Sequence, residues 1–571
     1  MGRGTAGALG AQSQLSHHYC GAVDQADRVV RDTRPPKALT MRGTMRIAGE
    51  EVPWNSIHGL LRARALQHGD APRVDIAETV TSWGELDRES DRMAAALFAH
   101  GVGVGDRVCS MMDGRIEQLI VWFATVKLGG IWVPLNTGLV GDDLVYTVRD
   151  AAPKALFVEA ETAPRFRDWP ADVLLPAARV AADPVAGFQR WSDFIGAGGD
   201  LPQVEVAPQD PGVIIYTGGT TGRPKGVVMP HFAFLAAGYR FRDAFDVTAD
   251  DHQYSVLPLF HVGGTMLGIM GPLVTDIPTT LERRFSATRF WSRARSRGAT
   301  LIDPVGTMVT VLSQQPENAA DRDHRVRASV GVTGQVPPDV ASTFSRRFGV
   351  TMVNLYSLTE AGGVLIAYTK PSSARPDAHG EPGRWADFRV VDGFDQEKPH
   401  GEVGEILLRP RLPYTFMLRY HNDPQRTLEC WSNLWLHTGD LGRVDEEGFL
   451  HFVGRQAHWL RCRGENVSAY EVEAIVGQCP GVAEAAVVGV PAELGEEEVK
   501  VFIVKAKAGN VTAETVVTWC SARLARFKVP RYVEFVDTLP RSSAKQEIER
   551  HKLRALPNDK AWDARNRPSQ V

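Results

Sequence analysis

The chain has 571 residues and a mass of 62.6 kDa, which is more than one compact core accommodates, so at least two domains are expected. Hydrophobic residues make up 43% and charged residues 23% of the chain, a balance that is typical of a globular protein and excludes extensive disorder. The formal net charge is only -4 at pH 7, and no long run of like charges is present, so we expect no nucleic-acid partner.

Cysteine usage and apolar runs limit the cellular setting. The six cysteines are scattered and form neither a C-x-x-C pair nor a His/Cys cluster with zinc-ligand spacing. Reduced thiols in a cytoplasmic protein are therefore expected. The most apolar stretch, Leu119 to Leu135, is interrupted by Lys127 and by the pair Gly129 and Gly130, so no membrane span is predicted.

The first predicted segment, residues 1–46, is rich in Gly, Ala, Arg and His and lacks the apolar centre of a secretory signal. We expect it to be a mobile leader. The internal methionines Met41 and Met45 are alternative starts.

Helix and strand then alternate through residues 47–457, which we predict to form the large N-terminal domain. A strand at 107–114 precedes a helix from Arg115 to Leu128, with Gly129 as its C-terminal cap, and a buried strand follows at 131–135. Similar apolar strands that run into glycine or proline recur at 212–219, 254–260 and 299–312. This pattern predicts an α/β fold of parallel sheets covered by helices.

From about residue 380 to 457 the strands become shorter, alternate in polarity and are joined by tight turns, which predicts a β-rich subdomain with a hairpin loop at Glu446–Gly448. Residues 458–571 have a pattern of their own and are predicted to form a small α+β C-terminal domain. Its expected elements are a helix at 469–479, strands at 482–491 and 497–506, a helix at 512–527 and a strand at 531–536.

The stretch "YTGGTTGRPKG", Tyr216 to Gly226, is the strongest candidate for a phosphate site. It fits neither the Walker pattern nor the dinucleotide pattern, because Lys225 precedes Gly226 and no glycine stands two positions before Gly219. The remaining interpretation is an anion nest of backbone N–H groups and threonine hydroxyls, completed by the charge of Lys225, which suits a triphosphate. A merely flexible glycine turn, the alternative, would not need threonines and a lysine at these positions.

The same stretch resembles the T-S-G-T-T-G-x-P-K-G signature of the adenylate-forming superfamily, which includes acyl-CoA synthetases, peptide-synthetase adenylation domains and luciferases. Five further stretches resemble its successive motifs in order: "LPLFHVGG", "YSLTE", "HTGDLG", "GRQAHWLRCRGENVSAYEVE" and "FKVPRYVEFVDTLPRSSAK". The resemblance spans roughly residues 54 to 554 and is nearest in wording to bacterial ligases of the carnitine and bile-acid CoA-ligase type. It implies an acid–CoA ligase that uses ATP and Mg2+ to form an acyl-adenylate and then passes the acyl group to CoA. It also implies that the small C-terminal domain is mobile.

The resemblance assigns roles residue by residue. The ATP phosphates are assigned to Thr217, Gly218, Gly219, Thr220, Thr221, Gly222 and Lys225, with Thr359 at the α-phosphate and Glu360 as the Mg2+ ligand. The nucleoside is assigned to Tyr356 and Ser357, to Gly334 and Gln335 on the other face of adenine, and to Asp440 and Arg455 at the ribose. Lys545 is the catalytic lysine of the C-terminal domain, Gly464 lies on the CoA side, and His458 occupies the hinge. A solvated acid, an ordinary turn residue or a surface lysine is the alternative for Glu360, Asp440 and Lys545, respectively.

The acyl pocket is assigned to the glycine-rich stretch that follows the strand predicted at 254–260. The assigned residues are His261, Gly263, Gly264 and Met266. Val262 stands where amino-acid-activating relatives carry an aspartate, which disfavours an amino acid substrate. Glycines and the adaptable Met266 favour a bulky or aromatic acid. Packing glycines, and a structural histidine at position 261, are the alternatives.

The chain departs from the family pattern at four positions: Gly218 replaces a serine, Ser357 and Ala544 replace glycines, and His458 replaces the hinge aspartate or lysine. A bulky imidazole at the hinge predicts that adenylation is robust and thioester formation slower. The alternative function is therefore an adenylating enzyme that passes acyl-AMP to a partner protein or to another nucleophile. A non-catalytic homologue is disfavoured because Lys225, Glu360 and Asp440 are all present. The oligomeric state is open, with a homodimer among the options.

Overall fold

The computed structural model describes most of the chain after the predicted leader. The described residues are 45–47, 49–167, 169–196, 198–219, 222–331, 338–373, 375, 378–382, 385–455, 459–462, 465–491, 497–506, 509–541 and 548–566. The leader prediction therefore lies almost entirely outside the described residues.

The phosphate-site stretch belongs to an eight-stranded sheet. In spatial order its strands are Arg419–Tyr420, Gly222–Pro230, Pro211–Gly219, Ile131–Pro134, Arg107–Met111, Ala155–Val158, Ala178–Ala181 and Gln189–Arg190. The last six strands run parallel to one another. At one edge, Gly222–Pro230 pairs antiparallel with Pro211–Gly219, and Arg419–Tyr420 pairs antiparallel with Gly222–Pro230. The predicted β-α-β unit around helix Ile116–Lys127 is present, with its two strands adjacent and parallel.

A second, seven-stranded sheet carries the acyl-pocket stretch at its strand ends. Its order is Thr351–Val353, Ala328–Val330, Leu301–Ile302, Gln253–Ser255, Thr279–Leu281, Pro72–Ile76 and Thr79–Ser82, parallel except for the last pair. The strand predicted at 254–260 ends at Ser255. Residues beyond it turn because prolines and glycines follow, as the prolyl residue Pro258 cannot extend a sheet ladder.

Helices cover both sheets, and the core lies between them. The α-helices are Ile57–His68, Trp83–Ala99, Ile116–Lys127, Gly141–Ala151, Trp191–Gly196, His231–Phe245, Gly271–Thr275, Phe290–Ser296, Thr307–Ser313, Pro338–Phe348, Pro424–Cys430, Ala469–Gly477, Ala513–Ser521 and Arg550–Arg554. Shorter 3-10 turns are Ala163–Phe166, Thr359–Ala361, Pro371–Ser373, Ser432–Leu434, Arg526–Lys528 and Ala564–Asn566, and Gly263–Met270 is a π-helix. Ser56 and Ser82 begin the first two helices by accepting the N–H of Gly59 and Glu85. None of the helices in the described ranges combines the length and apolarity that crossing a membrane requires.

Smaller antiparallel sheets follow along the chain. One has strands Leu355–Leu358, Gly363–Tyr368 and Glu381–Pro382, and a four-stranded sheet has Ala386–Val391, Gly404–Pro410, Leu436–Val444 and Leu450–Arg455. The last two strands of the four-stranded sheet enclose the predicted hairpin loop, where Gly448 adopts a φ of 89°. A two-stranded ribbon, Arg46–Ile47 with Glu50–Glu51, precedes the first helix.

The C-terminal part has a separate hydrophobic core. Strands Val482–Pro491, Glu497–Lys505, Tyr532–Phe535 and Trp562–Asp563 form one sheet, and Trp459–Cys462 pairs with Glu465–Ser468. The helix predicted at 512–527 ends at Ser521, which corrects that boundary. It ends because residues 521–523 are exposed and give the chain no further face to bury. The α/β fold class with a small second α+β region agrees with the prediction.

Two neighbouring histidines, the buried His231 and the half-buried His58, are expected to make folding sensitive to acid. His231 begins the helix His231–Phe245 and accepts the backbone N–H of Ile57 at 3.2 Å, and the rings of His58 and His231 lie 6.2 Å apart. Burial lowers the pKa of His58 to about 4 and that of His231 to about 3. Both are therefore neutral in the folded protein, whereas both bind a proton in the unfolded chain below about pH 6.5.

We expect stability to fall as pH drops from about 6.5 toward 4, because the unfolded state then binds more protons than the folded state. Replacing His58 with glutamine should flatten this dependence. Urea unfolding midpoints of both proteins at a series of pH values check the prediction. Parallel curves for the two proteins would contradict it.

Candidate active site

The phosphate-site stretch is a β-hairpin. Strands Pro211–Gly219 and Gly222–Pro230 pair antiparallel, with Thr217 opposite Lys225 and Gly219 opposite Gly222. Thr220 and Thr221, at the tip, lie outside the described residues. The hairpin therefore places Thr217 and Lys225 side by side below a tip built only of small residues.

Asp150 and Tyr146, from the helix Gly141–Ala151, hold this hairpin. Tyr216 donates its hydroxyl to Asp150 Oδ2 at 2.6 Å, and the guanidinium of Arg223 lies 5.0 Å from the ring centroid of Tyr146. The backbone carbonyl of Asp150 also accepts from Asn422 at 3.0 Å. These contacts fix the base of the hairpin against the helix Gly141–Ala151 and the segment that carries Asn422.

The first polar cluster of the site contains two charged side chains, Lys225 and Glu360, with Tyr420 between them. The Nζ of Lys225 lies 5.2 Å from the ring centroid of Tyr420, and the Tyr420 hydroxyl donates to Glu360 Oε1 at 2.8 Å. Glu360 is only 8% exposed. Burial lowers the pKa of Lys225 and the Glu360 carboxylate opposes that shift. A buried carboxylate and a partly desolvated lysine are thus placed close to each other, with a tyrosine between them.

The neighbouring turn presents Thr359. Thr359–Ala361 is a 3-10 turn between strands Leu355–Leu358 and Gly363–Tyr368, and the Thr359 side chain is largely buried. The two strands slip in register between Tyr356 and Leu358. Ser357, one of the departures from the family pattern, lies in this bulge and accepts the N–H of Leu365 at 3.3 Å. Its hydroxyl thus satisfies a backbone donor of the facing strand.

Tyr356, Asp440 and Arg455 form a second polar cluster. Tyr356 donates its hydroxyl to Asp440 Oδ2 at 2.6 Å, and both residues are buried. Asp440 and Arg455 are cross-strand partners, with Arg455 Nε 3.2 Å from Asp440 Oδ1. No hydrogen bond of ordinary geometry reaches that buried Oδ1. Burial raises the pKa of Asp440, while Arg455 and the Tyr356 hydroxyl oppose the shift.

The acyl-pocket stretch is tightly packed. His261 is partly buried and accepts the N–H of Gly263 on Nδ1 at 3.0 Å. A Cβ on Gly264 would lie 2.2 Å from the carbonyl oxygen of Pro258, and one on Gly363 would lie 2.2 Å from Met266 Sδ. Close packing therefore accounts for Gly264 and for the buried Met266, which favours the packing alternative for these glycines. The acyl-pocket role of His261, Gly263, Gly264 and Met266 stays a prediction.

Several predicted site residues cannot be placed. Those outside the described residues are Thr220, Thr221, Gly334, Gln335, His458, Gly464 and Lys545. Apart from the acyl-pocket stretch, the polar side chains that the structure describes at the predicted site fall into two clusters, one around Glu360 and one around Asp440. The two clusters are linked through the strand that carries Tyr356 and the turn that carries Glu360.

The described residues fit ATP and Mg2+. The buried Asp440 Oδ1 accepts no hydrogen bond of ordinary geometry, and Oδ2 accepts one, from Tyr356, so the carboxylate keeps acceptor capacity for ribose hydroxyls. No group of three or more His, Cys, Asp or Glu side chains that could hold a metal occurs among the described residues. A single carboxylate such as that of Glu360 suits Mg2+, because Mg2+ is usually bound by one or two carboxylates together with substrate phosphates.

Replacing Tyr356 with phenylalanine is expected to raise the KM for ATP about tenfold, with a smaller effect on kcat. The reason is that Asp440 loses its hydroxyl donor in a buried site, and a buried unpaired acceptor costs about 1–3 kcal/mol. Steady-state kinetics with ATP, 2′-deoxy-ATP and 3′-deoxy-ATP check the prediction. An unchanged KM in the variant, with no discrimination against either deoxynucleotide in the unmodified protein, would contradict a ribose role for Asp440.

Sequence reasoning missed Tyr420 and Asp150. Both are fixed to the site by hydroxyl–carboxylate hydrogen bonds, at 2.8 Å to Glu360 and 2.6 Å from Tyr216. Neither lies in a glycine-rich or charged motif, and each is distant in sequence from its partner. The one available signal was that a tyrosine beginning the phosphate stretch needs a buried acceptor.

Comparison with known proteins gives a consistent result. The family model "AMP-binding enzyme" matches residues 61–420, and "AMP-binding enzyme C-terminal domain" matches residues 471–545. Crotonobetaine/carnitine–CoA ligase from Salmonella arizonae is 29% identical over 478 residues, covering 82% of this chain and 92% of the relative. The corresponding ligase from Escherichia coli O157:H7 is also 29% identical over 478 residues.

Two solved structures are similar over most of the chain. ATP-bound MatB from Rhodopseudomonas palustris has a TM-score of 0.77 and 27% identity, covering 88% of this chain and 98% of that one. The anthranilate CoA ligase AuaEII in complex with anthranoyl-AMP has a TM-score of 0.79 over 88% of this chain and 97% of that one, and at 23% identity the likeness concerns the fold. The resemblance inferred from the six motifs is confirmed.

Proposed function

The chain belongs to the AMP-binding enzyme family, and on that premise we propose that it is an acid–CoA ligase. The proposed reaction has two steps. A substrate carboxylate attacks the α-phosphate of ATP to give an acyl-adenylate and pyrophosphate, and CoA then displaces AMP to give the thioester. The observation that carries the proposal is the cluster of Lys225, Tyr420 and Glu360 beside the small-residue hairpin.

In the first step the protein mainly positions groups and neutralises charge. Backbone N–H groups of the hairpin and the ammonium of Lys225 hold the β- and γ-phosphates, and Thr359 donates to the α-phosphate. Asp440 accepts a ribose hydroxyl, held in place by Tyr356 and Arg455. Burial of Thr359 and Asp440 strengthens their interactions because the local dielectric is low.

Glu360 is the proposed Mg2+ ligand. Its Oε1 accepts the hydroxyl of Tyr420 at 2.8 Å, and the strand that carries Tyr420 pairs with the hairpin strand Gly222–Pro230. When bound, Mg2+ would neutralise charge that develops on the phosphate oxygens. Lys225, in the hairpin strand Gly222–Pro230, supplies a second positive charge.

The C-terminal residues complete the proposal on the family pattern alone. Lys545 would stabilise the transition state of adenylation, and rotation about His458 would bring Gly464 to the pantetheine side for thioester formation. We further propose cytoplasmic ATP and CoA as the co-substrates, in keeping with the reduced thiols of Cys109, Cys430, Cys479 and Cys520.

The proposed acid is bulky or aromatic and is not an amino acid. Val262 offers no carboxylate for a substrate amine, and it is nearly fully buried beside the packed Met266. Carnitine and crotonobetaine belong in a substrate panel because the relatives compared above act on them by name. Aromatic acids and acetate complete the panel as opposite extremes of size.

The second candidate function is adenylation with transfer of the acyl group to a partner protein or another nucleophile. It is favoured by one sequence observation, the histidine at the hinge position 458. The two candidates share every residue of the first step and differ only in what consumes the adenylate.

Pyrophosphate release across the acid panel, with and without CoA, tests the proposal. We expect release with at least one bulky acid and a several-fold higher steady rate when CoA is present, because CoA removes the bound adenylate. Release that CoA does not accelerate would favour the second candidate. No acid-dependent release with any acid would contradict both.

A further inference from the structure

Arg240 is a fully buried arginine without a carboxylate partner among the residues the structure describes. It lies in the helix His231–Phe245 and is 0% exposed. Burial lowers its pKa to about 10, so it still carries its positive charge at neutral pH. A buried charge is costly unless it is paired or well hydrogen-bonded. Its position in the fold therefore calls for a reason.

The guanidinium binds backbone carbonyls from two segments. Nη1 donates to the carbonyl oxygens of Gly362 at 2.9 Å and Val364 at 3.1 Å, and Nη2 donates to that of Thr415 at 3.3 Å. The face of the guanidinium lies 5.7 Å from the ring centroid of Trp385. One rigid, planar cation thus holds two chain segments at a fixed separation.

These two segments are the ones that enclose Glu360. Gly362 ends the turn that contains Glu360, and its N–H donates to the Thr359 carbonyl at 3.2 Å. The second segment runs from Thr415 to Tyr420. There, the N–H of Met417 donates to the Glu360 carbonyl at 2.9 Å, and Tyr420 donates to its carboxylate at 2.8 Å.

The segments touch where Arg240 joins them. Gly362 has a φ of 80°, and a Cβ at this position would lie 1.9 Å from the carbonyl oxygen of Thr415. Only glycine permits this approach. The carbonyls of Gly362 and Thr415 both accept from the same guanidinium, so Arg240 joins the two segments beside their point of closest approach.

We propose that Arg240 is a positioning residue for adenylation, which holds the backbone on both sides of Glu360 so that the Glu360 carboxylate meets the metal–ATP complex in a fixed geometry. The inference rests on the proposed function, because it concerns the same site. Arg240 touches neither substrate nor metal and acts through Gly362, Val364 and Thr415. Neither the family motifs nor the sequence pattern of its helix marks it.

The test compares three variants. Arg240→Lys keeps the positive charge but removes the planar guanidinium that donates to several carbonyls. Arg240→Met removes both the charge and the donors while retaining much of the side-chain volume. Arg242→Met is the matched control, because Arg242 lies two residues along the same helix and pairs with Glu50 and Asp243 instead. Each protein is measured by thermal unfolding, by pyrophosphate exchange kinetics, and by calorimetric binding of ATP with and without Mn2+.

We expect Arg240→Lys to fold with kcat reduced about 100-fold, since misplacing a catalytic group by about 1 Å costs about that much. Metal-free ATP should bind to it as to the unmodified protein, whereas the tightening of ATP binding by Mn2+ should be at least about fivefold smaller. Arg240→Met should show a larger loss of both. The control Arg242→Met should stay within about twofold of the unmodified protein in all three measurements.

Two results would overturn the proposal. One is that Arg240→Lys loses stability while kcat and the Mn2+ effect match those of Arg242→Met, and the other is that both Arg240 variants fail to fold. Either would make Arg240 a purely structural residue. Failure of the proposed function is distinguishable, because it would show in the unmodified protein as absent pyrophosphate exchange, while the ATP and Mn2+ binding measurements would still compare the variants.

Discussion

Glu360→Ala and Lys225→Ala are each expected to lower acid-dependent pyrophosphate release by about 100- to 1,000-fold, the loss seen when one preorganised charge or donor is removed from a transition state. Glu360 is largely buried and accepts from Tyr420 at 2.8 Å, and Lys225 lies 5.2 Å from the Tyr420 ring centroid. Each change removes a charge next to a polyphosphate that backbone N–H groups alone would have to hold.

A further variant tests whether Glu360 acts as a metal ligand, and a control variant tests whether the loss is specific to this site. Glu360→Gln, which retains an oxygen for the Tyr420 hydroxyl, should be nearly as impaired as Glu360→Ala if the carboxylate binds metal. The exposed Lys370, which pairs with Asp246 at 3.3 Å, provides the control Lys370→Ala, for which we expect an unchanged rate. Near-normal turnover in both Glu360→Ala and Lys225→Ala would contradict the assignment of this site to ATP.

Lys545→Ala is the second large effect. We expect adenylation to fall about 100- to 1,000-fold while the affinity for ATP changes little, because a charge used in the transition state contributes chiefly to kcat. Arg541, which precedes the segment containing Lys545, pairs with Glu484 at 2.8 Å, and Arg550, which follows it, pairs with Glu473 at 2.7 Å. The described flanks of the segment are therefore attached to the same small domain.

Single-turnover rates and calorimetric ATP binding measured on Lys545→Ala check this prediction. Lys552→Ala is a suitable control, because Lys552 is exposed and pairs with Glu549 at 2.6 Å. Equal losses of rate and of ATP affinity would make Lys545 a ground-state contact. An unchanged rate would mean that the segment before it, with Ala544 in place of glycine, does not deliver the lysine.

Much of the fold could be predicted because local pattern and tertiary structure agree. The helix Ile116–Lys127 has apolar residues on nearly every face and is accordingly buried between two layers. The strand predicted at 254–260 was too long, because apolar residues next to Pro258 pack in the core without joining the sheet. An apolar run alone does not distinguish these two kinds of burial.

The site was predictable where motifs carry it and not where distant residues meet. Lys225, Glu360 and Asp440 were found from short motifs. Tyr420 and Arg240 were not, since their roles depend on contacts with residues 60 and more than 120 positions away in sequence. A lone tyrosine or arginine in an apolar stretch gives no local sign of its partner.

The glycines illustrate a different limit. A glycine-rich stretch after "LPLFH" suggested a wide acyl pocket, but Gly264 is required by its approach to the Pro258 carbonyl. Composition does not distinguish a glycine that enlarges a pocket from one that permits close packing of the backbone. Likewise, the hydroxyl of Ser357 satisfies the N–H of Leu365 across a bulge, a use that a comparison with the family pattern alone does not indicate.

The central claim, that acyl-adenylate formed at this site is passed to CoA, is tested most directly by single-turnover chemical quench. Enzyme, ATP and an accepted acid are mixed, and acyl-AMP and acyl-CoA are quantified over time with and without CoA. We predict that acyl-AMP forms in both cases, and that with CoA it builds up transiently and is converted stoichiometrically to acyl-CoA, the build-up reflecting a slow step at the His458 hinge. Acyl-AMP that persists unchanged in the presence of CoA would contradict the ligase assignment.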